Sequence, residues 1–426
     1  MISGKKTHVP KNGVSGGASG LLLLSLCLVT FLSPASLHAE PYSPFGSVRI
    51  DLPPGYQERR LPGTGQLSFN HPQGAVFELD LNGTGGDPVP RLETVCARLE
   101  SRTGEPGSGA GEIEAFDYHG HRTALVRLEF SLDAAGRPRS RSGGTGRLTA
   151  FQGWALCVDR GEDQLLALAY GPAGNTALEL LGLSCLDSIA PTPAEQYYWG
   201  PITEFTWPRS EPEETALYNT GVTARIAPTD AEAAQSLVDR EFQVLRQFET
   251  STQWQEAWRR FYRMICRDSW ERLSDAFFQL ERSWNAEAML NKAALRGAPG
   301  PTVPDFDDYA LAAKALSHIQ NFHYERNLMG SDFVNLVSAI TEGRGDCDSR
   351  AMLWALFLAQ AHIPAGIMVS REYGHAMGIA DLEGPGARFP LAGNEYLVAE
   401  TTAKVDLGLI GKNMSDSAKW LGVLFD

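Results

Sequence analysis

The chain reads as an α+β protein with two unlike halves, on three observations. Residues 41–190 run in the order strands, helix, strands, helix. Residues 230–300 repeat apolar side chains at helical spacing. Residues 342–402 set a cysteine before a wholly apolar helix and follow it with two alternating runs. Period two marks half-buried strands and period 3.6 marks helices, so the three stretches differ in kind.

The length of 426 residues suits two to three domains, and 43% hydrophobic content is enough to bury real cores. Net charge is −14, which excludes nucleic acid as a partner, since that needs a basic footprint. Residues 1–39 read as a cleaved signal peptide. Lys5, Lys6 and Lys11 precede the apolar run Leu21 to Leu32, and Ala39 is a small residue before a cut. A run of about 12 residues falls short of the roughly 20 that a bilayer needs. The expected location is therefore periplasmic or secreted, with an uncleaved N-terminal membrane anchor as the alternative.

In residues 40–190, strand-like runs occur at "GSVRIDLP", "GAVFELDL", "RTALVRLEFSL", "GWALCVDR" and "QLLALAYG". Helical patterns fall at "PRLETVCARLES" and "NTALELLGLSCLDSI", and glycine-rich loops divide them. The opening "IDLPPGY" and the closing strand, "GPAGNTALELLGLSCLDSI" and proline resemble the PsbP-like fold. That resemblance implies an antiparallel sheet with helices on one face.

Residues 191–229, rich in Pro, Thr, Glu and aromatics, read as a linker or an irregular wrapping segment. Residues 230–300 read as a helical region packing on the last domain. Thr229 or Asp230 opens its first helix as N-cap. Farther on, Trp254, Trp258, Phe261 and Ile265, then Leu273, Phe277, Leu280 and Trp284, recur in steps of 4, 3 and 4. This is the core stripe of a helix. A break at "RGAPGPTVPDF" precedes the final domain, 301–426.

Five cysteines follow the leader: Cys96, Cys157, Cys185, Cys266 and Cys347. An odd number outside the cytosol leaves one thiol without an internal partner. Cys347 is the expected free one; the others either form up to two disulfides or stay buried as thiols. No CxxC and no zinc spacing occurs, and neither metal nor cofactor is expected.

The stretch "EGRGDCDSRAMLWALFLAQAHIPAG" explains that choice. Gly343 and Gly345 allow a tight entry, Asp346 is a natural N-cap, and Ala351 to Ala359 are apolar without interruption. Cys347 then lies in the first turn, where free N–H groups and the macrodipole concentrate positive potential. The helix end contributes about 0.3–1 kcal/mol, under one pKa unit, so an imidazolium partner is needed to form a thiolate. Asp346 and Asp348 oppose it if they point at the sulfur.

Among the histidines, His362 closes the helix, His119 and His121 read as a solvated loop pair, and His318 and His323 as core or rim. His375 opens the alternating run "HAMGIADL". Pairing 375–382 with 395–402 as an antiparallel hairpin brings His375 beside Glu400, a carboxylate able to orient the ring. Asp406 and Glu395 are the competing acids.

"GRGDCDSRAMLWALFLAQAHIPAGIMV", "YGHAMGIA" and "YLVAETTAKVDLG" together resemble the transglutaminase-like superfamily, with its papain-like cysteine fold, over about residues 305–410. The resemblance implies Cys347 as nucleophile, His375 as base and Glu400 as orienting acid, where the family usually has aspartate. It further implies Tyr324, in "NFHYERN", as the aromatic that helps hold the oxyanion. The expected activity is thioester formation with a peptide or protein substrate, resolved by water (peptidase or amidase) or by an amine (transamidation). A weak or inactive scaffold of the same fold, bound to an envelope or cell-wall partner through its N-terminal module, is the alternative.

Overall fold

The structure, a computed structural model, describes residues 41–61, 65–103, 111–132, 149–294, 307–326 and 331–425. The leader read at 1–39 lies outside them.

The first half is built on a seven-stranded antiparallel sheet. Its elements are strands β1 (Gln57–Leu61), β2 (Gln66–Asn70) and β3 (Val76–Thr84), helix α1 (Val89–Thr103), strands β4 (Glu114–Tyr118), β5 (His121–Leu132), β6 (Thr149–Asp159) and β7 (Asp163–Pro172), and helix α2 (Thr176–Asp187). The strand order is β1-β2-β3-β7-β6-β5-β4. The run "GSVRIDLP" makes only isolated bridges, Tyr42 to Ile50 and Arg49 to Ala190.

The two helices cover opposite faces, which corrects the one-sided arrangement expected above. Leu125, Leu156, Val158, Leu165 and Ala167 turn toward Leu178, Leu181 and Cys185 of α2. Their alternates Ala124, Val126, Ala155, Cys157, Leu166 and Leu168 turn toward Leu92, Val95 and Leu99 of α1. Successive side chains on a strand point to opposite faces, so near-continuous apolar strands require cover on both.

The 191–229 stretch is a wrapping segment. It holds α3 (Pro201–Thr206) and the hairpin β8 (Glu213–Ala216) and β9 (Thr223–Ile226), and buries Trp199, Ile202 and Thr203. Helices α4 (Asp230–Arg246) and α5 (Trp254–Ala294) follow. One side of α5 places Phe261, Ile265, Leu273, Phe277, Leu280 and Trp284 in the core of the second half. Its other side offers Arg260, Arg263 and Arg267 to the first half. Arg260 donates to the Asp51 carbonyl (2.8 Å), the Glu241 carboxylate (2.6 Å) and the Ser184 carbonyl (3.2 Å). Arg263 grips both oxygens of Asp51 at 2.8 and 2.9 Å. Arg267 donates to the carbonyls of Asp187, Ile189 and Tyr198. A fully buried apolar side chain contributes about 1.5–3 kcal/mol, whereas a buried ion pair roughly balances its desolvation. The apolar side thus supplies the stability, and the arginines fix how the halves meet.

The second half continues with α6 (Asp308–Ile319), the short strand β10 (His323–Tyr324), α7 (Leu336–Glu342), β11 (Arg344–Gly345) and the central helix α8 (Cys347–Gln360). A five-stranded antiparallel sheet then forms from β12 (Ala365–Ser370), β13 (His375–Ala380), β14 (Arg388–Leu391), β15 (Asn394–Ala399) and β16 (Leu421–Leu424), in the order β14-β15-β13-β12-β16. Helix α8 is buried on all sides between this sheet, α5 and α6. It approaches β13 at Gly378, where a Cβ would stand 2.4 Å from the Trp354 ring.

Candidate active site

Cys347 is the first residue of α8, and its surroundings fix it there. Gly343 ends α7 in the left-handed conformation, at φ 68°, and a Cβ at that position would collide with the Tyr218 ring. Gly345 is not left-handed; the absence of a side chain there makes room for Ser349 instead. Asp346 caps the helix by accepting from the Ser349 N–H at 2.8 Å. The buried Arg350 donates to the carbonyls of Gly345 (3.0 Å) and Phe322 (2.6 Å), holding β10 alongside β11. In that parallel pair Tyr324 lies level with Gly345, two residues before the cysteine.

His375 and Glu400 meet. The His375 Nε2 lies 2.8 Å from the Glu400 Oε2. The other oxygen of Glu400 accepts from the Thr402 N–H at 2.8 Å and the Thr402 hydroxyl at 2.6 Å. Burial pushes the Glu400 carboxyl up, but the bonds from His375 and Thr402 outweigh it and hold the group below the usual glutamate range. An ionised carboxylate can only accept, so the Nε2 of His375 carries a proton toward Glu400.

The register that brings them together differs from the simple hairpin. Gly378 pairs with Ala399 and Ala380 with Leu397, and β14 occupies part of the intervening loop. Extending the ladder would set His375 beside Thr402, two residues past the expected partner. A shift of two keeps every side chain on its own face, and the extra methylene of glutamate spans the remaining gap. Asp406 and Glu395 make no recorded bond to the ring; Glu395 pairs with Pro390 on the edge strand.

The sulfur sits in mixed company. Cys347 is 8% exposed. Its Sγ lies 3.7 Å from the Asp348 Oδ1, and the other Asp348 oxygen accepts from the Tyr262 hydroxyl at 3.2 Å. Burial raises the Cys347 thiol above its ordinary value, and Asp348 and Asp346 raise it further; the nearby Ala376 N–H and Tyr324 hydroxyl pull it down. The strand carrying His375 thus begins close to the sulfur. Burial and the Asp332 charge push the Asp348 carboxyl up to about 6, against the Tyr262 bond, the Cys347 bond and the charge of His375. Tyr324 is 46% exposed, and its phenol is pushed up to about 12 by partial burial, then by Cys347 and Asp346, so it remains a donor at the mouth of the site.

The remaining histidines stand apart. His119 and His121 are not a solvated pair. His119, at φ 51°, stacks on Tyr198 (4.3 Å) and Trp199 (4.4 Å), and burial, then Arg267, holds it down to about 4. His121 lies 2.8 Å from Glu195 and 2.9 Å from the Asp159 carbonyl. His318 packs against Trp284 and Phe322. All five cysteines of the described residues are buried, and Cys157, Cys185 and Cys347 are free thiols. Sequence reasoning missed Tyr262 and Arg350. Tyr262 lies one residue off the apolar stripe, and Arg350 reads as a surface charge until its carbonyl partners are seen.

No family model matches the chain, and no curated protein matches it. Among solved structures, it is similar to a protein of Bacteroides thetaiotaomicron at 12% identity and a TM-score of 0.22, over 54% of this chain and 78% of that one. It is also similar to the cyanobacterial PsbP protein of Synechocystis at 13% identity and a TM-score of 0.26, over 39% of this chain and 98% of that one. Scores this low carry no argument about function.

Proposed function

We propose that the protein is an exported transglutaminase-like cysteine enzyme that forms a thioester with a peptide or protein amide. The observation that supports this best is the His375–Glu400 pair at 2.8 Å, at the head of a strand that packs on the helix Cys347 opens. In this reading the Cys347 thiol gives its proton to the Nδ1 of His375 and attacks the amide carbonyl. The imidazolium returns the proton to the leaving amine, and the thioester is then resolved by water or by a second amine. Hydrolysis is the favoured outcome, because water is abundant. The N–H of Cys347, one of the helix donors without an intrahelical acceptor, and the Tyr324 hydroxyl are the candidate oxyanion donors. The N-terminal module is read as PsbP-like, and an envelope or cell-wall peptide is the substrate class that export suggests.

A second reading, a scaffold with little or no catalysis, is favoured by one observation: burial and two flanking aspartates raise the thiol rather than lower it. Alkylation by iodoacetamide separates the two. The enzyme labels at Cys347 rapidly near pH 6 and loses that rate in His375→Ala. Labelling no faster than an ordinary free thiol, in both proteins, favours the scaffold.

A further inference from the structure

Asp348 has no role in the triad, yet its carboxyl touches the reacting sulfur. The thiol donates to Oδ1 at 3.7 Å, so in the resting site the S–H is directed at Asp348. The opposite oxygen is held by Tyr262, a buried residue of α5, at 3.2 Å. The groups facing this carboxyl are Cys347 and Asp346 on its own helix, Tyr262 from α5, Asp332 from the segment before α7, and His375 from β13. Asp346 and Asp348 therefore both act on the thiol, and Asp332 acts in turn on both of them.

We infer that Asp348 is a further catalytic residue, a proton-dependent brake on Cys347, and that Tyr262 is the positioning residue that aims it. This rests on the enzymatic reading above. When ionised, Asp348 accepts the S–H bond and repels negative charge on sulfur, which keeps the thiol protonated. When protonated, it donates its own O–H to the sulfur and stabilises the thiolate. The switch takes up one proton. In the braked state the thiol keeps its proton and Asp348 is ionised. On release the incoming proton rests on Asp348 and the thiol proton passes to the Nδ1 of His375, whose Nε2 proton stays directed at Glu400, leaving sulfur ionised. Acidification thus favours the nucleophile, the reverse of an isolated thiol, and the carboxyl's rise to about 6 puts the transition in a mildly acidic range. Tyr262 bonds the ionised form, so it lowers the pH at which the brake is released.

The test is the pH profile of iodoacetamide alkylation of Cys347 in the full chain between pH 5 and pH 8. Wild type slows as the pH rises through the range where Asp348 ionises. Asp348→Asn, which keeps the shape and loses the charge, labels like wild type at pH 5. At pH 7 it labels faster, by on the order of tenfold, the effect of one pKa unit on a thiol. Tyr262→Phe removes the donor that favours the ionised carboxyl, so its slowing moves to higher pH. It also keeps the question answerable should Asp348→Asn fail to fold. Profiles of both variants that superimpose on wild type overturn the inference, as does a uniform loss of rate at every pH. His375→Ala separates the two levels. If it is slow while Asp348→Asn matches wild type, the brake alone is wrong. If it labels as fast as wild type, the enzymatic reading itself is overturned.

Discussion

The two halves each hold buried thiols, and the contrast between those thiols is instructive. Cys157 on β6 and Cys185 on α2 are pushed up to about 12, in each case first by burial. Cys347 is raised by burial too. Burial therefore does not distinguish it. What differs is the position in the fold and the company. Cys157 lies near the end of β6, beneath α1, and Cys185 lies in the last turn of α2. Cys347 opens a helix, where the dipole and free N–H groups favour an anion. It lies near the head of a strand that opens with a carboxylate-bound histidine, His375; the strand beside Cys157 also opens with one, His121, but Cys157 pairs with Ala124, three residues farther along. A sheet covered on both faces can only hide a sulfur. A sheet whose strand ends at a helix N-terminus can use one.

The largest expected effect would break this contrast outright. In the enzymatic reading, His375→Ala slows alkylation of Cys347 at pH 6 by about 10²–10⁴-fold, the usual worth of a general base. Peptide mapping after labelling should find Cys157 and Cys185 unmodified in both proteins.

Next in size is the join between the halves. Arg260→Met leaves the Asp51 carbonyl without its donor and takes one partner from the buried Glu241 carboxylate, which keeps Arg240 and the Ser184 hydroxyl. Losing a hydrogen bond to a buried charged group costs about 1.5–3 kcal/mol, read as a lower urea midpoint. A midpoint within experimental error of wild type would mean that Arg260 adds nothing to the grip of Arg263 and Arg267 on the first half.

Gly378→Ala tests the seat of the helix that Cys347 opens. The added Cβ meets the Trp354 ring at 2.4 Å. Overpacking of this kind costs about 1–3 kcal/mol, measured by thermal unfolding. Because the contact lies two residues from Ala376, labelling at Cys347 should slow as well.

The smallest effect concerns acid. The Glu400 carboxyl is depressed in the folded protein. Its contribution to stability is therefore complete above the unfolded glutamate pKa of about 4.3 and is lost as pH falls through the lower folded value. Glu400→Gln removes that component, so its stability should change less than wild type's between pH 7 and pH 3. Equal changes in urea titrations of the two proteins would show that His375 and Thr402 do not stabilise the charge.

Much of the architecture was readable from local pattern. The apolar runs of β3, β5, β6 and β7 declare themselves by composition, and the caps of α2 and α8 by Asn175 and Asp346. In the first sheet the strands that escaped notice, β1 ("QERRL"), β2 ("QLSFN") and β4 ("EAFDY"), are only five residues long. Their pairing comes from neighbours in the sheet rather than from their own side chains. Which face of the sheet each helix would cover was equally hidden, since strands apolar on both sides fit either arrangement.

The candidate site divides along the same line. Cys347 at the first turn of a buried helix, and His375 at the head of a strand, follow from residue type and spacing, because backbone periodicity is a short-range property. The meeting of His375 with Glu400, the approach of Ala376 and Tyr324 to the sulfur, and the turning of Asp348 toward it rather than toward solvent were decided only by tertiary packing. Strand register and side-chain direction depend on elements distant in the chain. The field at a buried thiol is the sum of charges that only folding brings within a few ångströms.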